Sequence, residues 1–344
     1  MSNIKLSKGK NWIAGLDTIR FALAFIVVLS HTNIIGPLKH HFSQYLYLKY
    51  ILGIAGSLFF GIAAVIAFFI ISGIVIHFPY RDGKKLNISE FYLKRSLRIT
   101  IPMIIIAIIA YNFNISESEM PFWSLYCELI YYALYPIFYF LIINKKINSK
   151  IIILASFGCS YFFLLIEGSD IKAFLYQTQK FATYFHHFGI SATWLLGLPC
   201  WLLGVLIAQN LNYIIKNEVT QKRIILIRFI TYLSSVILNI LYSNFGLSQT
   251  LSMGLFSLLA AYWISLEISY WNKKSTNLYL EKFGKWSYSL YLCHMIPLAV
   301  LARLGIRSSF YLVVLQIPFI LLISYLFYLL IEKPSHNLIK KIRL

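Results

Sequence analysis

The sequence predicts an all-α, polytopic membrane protein of about ten transmembrane helices with both termini cytoplasmic. Three observations predict it. Of 344 residues, 59% are hydrophobic and only 12% charged, with a mean hydropathy of +0.71, whereas soluble domains carry about twice that share of charge. Ten apolar runs approach the roughly 20 residues that a spanning helix needs. The basic residues alternate in density between successive connections, as positive charge does on the two sides of a membrane.

The first run, 12–32, follows Lys5, Lys8 and Lys10. Asp17 and Arg20 interrupt it and no small-residue cleavage site follows, so it reads as a retained helix rather than a signal peptide. Residues 42–57 (FSQYLYLKYILGIAGS) suit either an interfacial segment or an early start to the second helix, and stay unassigned. The second run, 55–78, carries Ser72–Gly73 near its end. A loop with Arg81, Lys84 and Lys85 leads to the third, 97–113, whose entrance carries Lys94, Arg95 and Arg98. The fourth, 122–143, holds Glu128 among tyrosines, and the fifth is 150–167. The connection 168–190 carries Gln177, Gln179, His186 and His187, and is a candidate lid or acceptor platform. Runs 191–210, 224–242, 249–270, 285–303 and 309–332 complete the set.

With the N-terminus inside, the inner connections hold 24 Lys and Arg and the outer ones 6, and Arg20 alone lies within a helix. That asymmetry sets both termini in the cytoplasm. It also accounts for the net charge of +19 without nucleic acid as a partner. Cys127, Cys159, Cys200 and Cys293 have no close pairing and read as helix-packing residues. The chain is expected to be one membrane domain, 1–344 with a core of about 12–333, without a fused soluble domain. No internal repeat is visible, which counts against transporters built from repeated halves.

Ionisable residues inside a bilayer are costly, so each is a functional candidate. Arg20 and His31 are eleven apart, which puts them within roughly 20° on one helical face and about 16 Å apart along the axis. Asp17 shares that stripe. The alternative is an Asp17–Arg20 pair satisfying itself, with His31 at the interface. On the fourth run, Ser124, Glu128, Tyr131, Tyr132 and Tyr135 share a face, and the carboxylate needs a cationic or proton-donating partner, for which His31 or Arg20 would serve. A purely structural ion pair is the alternative. Lys94, Arg95 and Arg98 are either flanking positive charge or a grip for a polyanion. Ser72–Gly73 interrupts the bulk of its helix and would let a ligand or another helix approach. Tyr291 and His294 share a face on the ninth run, where packing is the bland reading. The pairs His40–His41 and His186–His187 read as solvated loop residues, and no metal site is expected.

Together these segments resemble the acyltransferase 3 family of membrane acyltransferases, from Leu16 to Pro334. The motifs are Arg20 with His31; Phe68-Phe69-Ile70-Ile71-Ser72-Gly73; Arg95 and Arg98 followed by Pro102; and Trp123-Ser124-Leu125 with Glu128, Tyr132 and Pro136. Ser287, Tyr288, Tyr291 and His294 form the next, and Glu332-Lys333-Pro334 the last. The chain departs from the pattern at Leu129, where a second acidic residue is usual, and at Phe21, where a Gly is frequent.

The resemblance implies transfer of an acyl group, with acetyl the expected one, from cytoplasmic acyl-coenzyme A to a hydroxyl of a surface glycan or its lipid-linked oligosaccharide precursor. The expected location is a bacterial inner or plasma membrane, with membrane lipid as the surrounding partner. It implies His31, Glu128 and Arg20 as catalytic residues, His31 as general base or as transient acyl carrier and Glu128 orienting or charge-balancing it. Arg95, Arg98, Lys94, Ser72 and Gly73 are implied as the acetyl-coenzyme A contacts. Asp17, Ser124, Tyr132, Tyr291 and His294 are candidates for the acceptor or the oxyanion. The competing class is a multi-pass transporter or lipid-linked glycan flippase, which would move substrate without consuming coenzyme A. A glycan polymerase would need larger, Arg-bearing outer loops, and a non-catalytic scaffold has no reason to bury Arg20 and Glu128.

Overall fold

A computed structural model describes residues 13–32, 35–42, 44–176, 182–304 and 310–342. Among them the structure is helical and contains no strand. Seven helical stretches are long and apolar enough to cross a bilayer: Leu46–Tyr80, Phe122–Asn144, Ser149–Glu167, Gly189–Gln209, Gln221–Phe245, Gln249–Lys273 and Leu315–Lys341. The described residues thus form an all-helical membrane protein, with seven such stretches among them where the sequence predicts ten spans. The other three runs are helical too. The first forms α1, Leu16–His31, whose 16 residues rise only about 24 Å, short of the roughly 30 Å hydrocarbon core.

After α1, a short α2 (Gly36–His41) and α3 (Leu46–Gly56) lead to α4 (Gly61–His77). The unassigned 42–57 segment is therefore mostly helix, with Tyr45, Leu46, Tyr47, Ile51 and Ile54 exposed along it. Helix α5 (Ile88–Asn112) starts where the Asn87 side chain accepts a hydrogen bond from the Glu90 backbone N–H, capping one of the unpaired donors of its first turn. Then follow α6 (Phe122–Tyr139), α7 (Ser149–Glu167), α8 (Ser169–Tyr176), α9 (Gly189–Gln209), α10 (Leu211–Ile214), α11 (Gln221–Phe245), α12 (Gln249–Lys273) and α13 (Leu278–Gly284). The run 285–303, expected as one helix, is two: α14 (Ser287–Cys293) and α15 (Met295–Arg303). Pro297 supplies the reason, because it has no N–H for the Cys293 carbonyl and its ring crowds that position. The last elements are α16 (Phe310–Phe327), a π-helical turn Tyr328–Glu332 and α17 (Lys333–Lys341).

Helices α4 and α9 form the centre, and α1, α6, α7 and α12 pack around them. Their axes approach closely because glycines face backbone: a Cβ on Gly73 would lie 2.0 Å from the Trp201 carbonyl oxygen, and one on Gly204 would lie 2.0 Å from that of Ile70. Gly73, expected near the coenzyme A contacts, is thus occupied with helix packing, as small residues are wherever membrane helices touch. The outer helices turn apolar side chains outward, Leu154, Phe162, Leu165 and Ile166 on α7 and Ile225, Leu226 and Phe229 on α11. Such patches suit contact with lipid tails. Of the four cysteines, Cys127, Cys200 and Cys293 are buried in packing as expected, and Cys159 is exposed on α7.

Candidate active site

Three cavities adjoin along the bundle. An inner chamber of about 100 Å3 is lined by Arg20 of α1, Ser72 of α4, Arg95 and Arg98 of α5, and Ser124, Glu128 and Tyr132 of α6, with Ser287, Tyr288 and Tyr291 of α14. A basic mouth of about 370 Å3 shares Arg95 and Arg98 with it. An outer cavity of about 350 Å3 shares Val65 and Tyr291 with it. Five helices far apart in sequence thus converge on the inner chamber.

In the inner chamber, Glu128 accepts hydrogen bonds from the Ser72 hydroxyl at 2.6 Å and the Tyr132 hydroxyl at 2.5 Å. The Ser72 oxygen in turn accepts from the Trp201 indole N–H at 3.3 Å. Glu128 and Tyr132 are four apart on α6, so one turn of helix supplies both the carboxylate and its donor. Arg20 lies 3.6 Å from Asp17, one turn earlier on α1. The self-satisfying pair is therefore real, yet Arg20 also lines the chamber. Asp17, a candidate for acceptor or oxyanion contact, is instead the partner of Arg20, a full helix length from His31.

His31 lies on the other side of Tyr291, in the outer cavity. Its Nδ1 is 2.9 Å from the Val27 carbonyl oxygen and 3.3 Å from Ser30 Oγ. A carbonyl only accepts, so Nδ1 carries a hydrogen, and in the neutral imidazole Nε2 is the nitrogen with the lone pair. The expectation that Glu128 orients His31 is not met. The carboxylate is held by Ser72 and Tyr132, the imidazole by its own helix, and the two line different cavities. The neighbour of His31 is His294, with ring centroids 5.0 Å apart.

His294 is fully buried at the break between α14 and α15. Its Nδ1 lies 2.6 Å from the Tyr291 carbonyl, and its Nε2 is buried without a hydrogen-bond partner. By the same argument Nδ1 is the protonated nitrogen, and a neutral His294 has no donor left for an oxyanion. Tyr291 is placed differently: its hydroxyl is 2.6 Å from Ser124 Oγ, which donates to the Pro121 carbonyl at 3.1 Å. With that proton committed, Tyr291 donates to Ser124, and the pair forms the partition between the inner chamber and the outer cavity.

At the mouth, Lys94 pairs with Glu90 at 2.5 Å. Beside Arg95 and Arg98 stand Lys84 and Lys85, and α17 brings His336 and Lys340. In the sequence Lys340 counts only toward the inner positive charge, and His336 carries no assignment. Their spacing of four on an amphipathic helix was the available signal. His186 was read as a solvated loop residue. Its ring instead lies flat on Trp123, with centroids 5.1 Å apart and planes 13° apart. Its Nδ1 is buried. Burial pushes its pKa below the ordinary imidazole value, and proximity to His31 and His187 adds to the effect. The sequence marks only its connection, as a candidate lid or acceptor platform. Gln177 and Gln179 lie outside the described residues.

Chemically, the cavities present cations for a polyanion at one end and a small polar chamber beside them. At the other end they present an imidazole with a free lone pair. The family model described as "Acyltransferase domain" matches residues 13–332, nearly the whole chain. No curated protein matches the chain. No solved structure matches it either.

Proposed function

The chain belongs to the acyltransferase 3 family, and from that premise we propose that it transfers an acyl group, acetyl by family resemblance, from cytoplasmic acyl-coenzyme A to a hydroxyl of a surface glycan or its lipid-linked precursor. One observation carries the reading: the basic mouth, the inner chamber and the His31 cavity adjoin through shared residues, Arg95 and Arg98 at one junction and Val65 and Tyr291 at the other. A donor and an acceptor would then meet from opposite ends.

In this reading the phosphates of coenzyme A rest among Lys84, Lys85, Arg95, Arg98 and Lys340, where Arg supplies paired N–H donors and Lys point charge. The pantetheine arm passes the inner chamber beside Ser72 and Tyr288 and brings the thioester to the Tyr291 partition. Nε2 of His31 accepts the proton of the acceptor hydroxyl as its oxygen attacks the thioester carbonyl carbon. The tetrahedral intermediate collapses with cleavage of the carbon–sulfur bond, and the coenzyme A thiolate takes the proton back from the imidazolium. The products are an O-acyl ester and free coenzyme A. Glu128 holds Ser72 and Tyr132 in place and offsets the charge of Arg95 and Arg98, which is a positioning role. Tyr291 borders the thioester in this reading, and it serves as oxyanion donor only by turning its one hydroxyl hydrogen away from Ser124.

The test is release of coenzyme A from labelled acetyl-coenzyme A by the purified protein in lipid vesicles, with wild type compared with His31→Ala at matched folding. Release that depends on His31, even as slow hydrolysis without acceptor, is the expected result. Equal release by both proteins would remove His31 from the chemistry, and transport of a glycan without coenzyme A consumption would support the flippase class instead.

A further inference from the structure

The two ends of the passage differ in charge. Lys84, Lys85, Lys94, Arg95, Arg98 and Lys340 line the basic mouth against one carboxylate, Glu90. Among the described residues lining the outer cavity, the one formally charged side chain apart from the imidazoles of His31 and His186 is Glu119. The other polar groups there include the hydroxyls and carboxamides of Ser30, Ser118, Tyr184, Tyr291, Asn239 and Gln249.

The wall that carries His186 is firmly built. The buried Asp170 carboxylate accepts from Thr183 Oγ1 at 2.5 Å and from Thr250 Oγ1 at 2.8 Å. The Thr183 backbone N–H donates to Ser248 Oγ at 3.2 Å, and the Gln249 N–H donates to the Thr183 carbonyl at 2.9 Å. Gln249 Oε1 accepts from the Phe185 N–H at 3.1 Å. A buried network satisfied in this way is rigid, and it fixes segment 182–188 to the start of α12. The pinned segment lays His186 on Trp123 while leaving its buried Nδ1 without a protein partner. The His186 and Trp123 rings both line the outer cavity.

We propose that the outer cavity is a subsite for an uncharged sugar ring, with His186 and Glu119 as positioning residues for its hydroxyls, and that it rejects anionic sugars. The proposal rests on the acyl-transfer reading and names the acceptor class for that site. Vicinal hydroxyls each donate and accept, and they are met by mixed groups of this kind: a carboxylate that accepts, an imidazole, and carboxamides that do both. Trp123 and Tyr184 offer apolar area for ring C–H groups with polar tips beside them. A uronate or phosphate would bring a second negative charge near Glu119, with no described Lys or Arg lining the cavity to offset it.

The experiment needs no acyl donor. Ser30→Cys places a thiol in the cavity wall, and its rate of modification is measured in vesicles with a trimethylammonioethyl and a sulfonatoethyl methanethiosulfonate, each relative to free cysteine. The cation is expected to be favoured by about tenfold, and Glu119→Gln is expected to reduce that preference to within about twofold. Methyl glucoside at about 0.1 M, above the millimolar range of weak ligands, is expected to slow modification, and methyl glucuronide is not. His186→Phe keeps a ring against Trp123 and is expected to lose the protection, whereas His187→Ala keeps it. Equal rates for the two reagents in wild-type background, glucuronide protecting as well as glucoside, or no protection by glucoside would each overturn the proposal. Protection without any His31-dependent coenzyme A release would instead remove the acyl-transfer reading and leave the sugar subsite standing.

Discussion

Glu128 takes two hydroxyl donors within one chamber that also holds Arg20, Arg95 and Arg98. Gln at this position keeps an oxygen for Ser72 and Tyr132 and loses only the charge. Glu128→Gln is therefore expected to leave the protein folded, with unchanged thermal unfolding in detergent, and to lower coenzyme A release by about a hundredfold. Full activity would remove the carboxylate from the proposal. Arg95 and Arg98 stand at the junction of mouth and chamber, where both would meet the phosphates. Arg95→Ala with Arg98→Ala is expected to raise KM for acetyl-coenzyme A about tenfold or more and to leave kcat nearly unchanged, as removal of uniform binding does. An unchanged KM would end the docking assignment. At this scale the sequence was largely legible. Arg20, Ser72, Arg95, Arg98, Ser124, Glu128, Tyr132 and Tyr291 do line one chamber. The partner of each was not legible, as the neighbours of His31 and Glu128 demonstrate.

Among the elements, the contact of α4 with α9 is the most exacting. Gly73 faces the backbone of Trp201 rather than a flexible side-chain tip, so a methyl group there must push the helices apart. Gly73→Ala is expected to cost about 1–3 kcal/mol, typical of overpacking, read as a fall in the unfolding temperature. Gly158 on α7 has nothing within 4 Å of an added Cβ. Gly158→Ala is expected to be neutral or stabilising by up to about 1 kcal/mol, since Ala is the better helix former. If both substitutions behave alike, the close packing assigned to Gly73 is wrong. The apolar runs and their order were readable from composition. The break between α14 and α15 needed the weight of Pro297, which a count of apolar residues ignores.

Across the whole molecule, charge is polarised: cations collect at one end of the passage and the outer cavity is nearly free of them. Attraction between cationic surface and a polyanion is screened over about 8 Å at physiological salt. KM for acetyl-coenzyme A is therefore expected to rise steeply between low and high ionic strength, and KM for a neutral glycan acceptor to change little. Parallel salt dependence of both constants would contradict the division into a donor end and an acceptor end. The excess of Lys and Arg on alternate connections further predicts that tags at both termini are protected in sealed right-side-out vesicles. Accessibility of either tag would overturn the cytoplasmic placement.

By itself the sequence determined the membrane setting, the helical class, the family through its ordered motifs, and the one helix that carries both Arg20 and His31. Each of these depends on composition, on spacing along one helix or on local order, which a linear chain carries openly. Only the tertiary structure decided which residues face one another. It separated His31 from Glu128, set His294 beside His31, gave Gly73 to packing, and drew His186, His336 and Lys340 to the passage. Helical periodicity states the direction in which a side chain leaves its own axis. Which neighbour it meets depends on how the helices are ordered, rotated and staggered, and that is settled by packing among all of them at once.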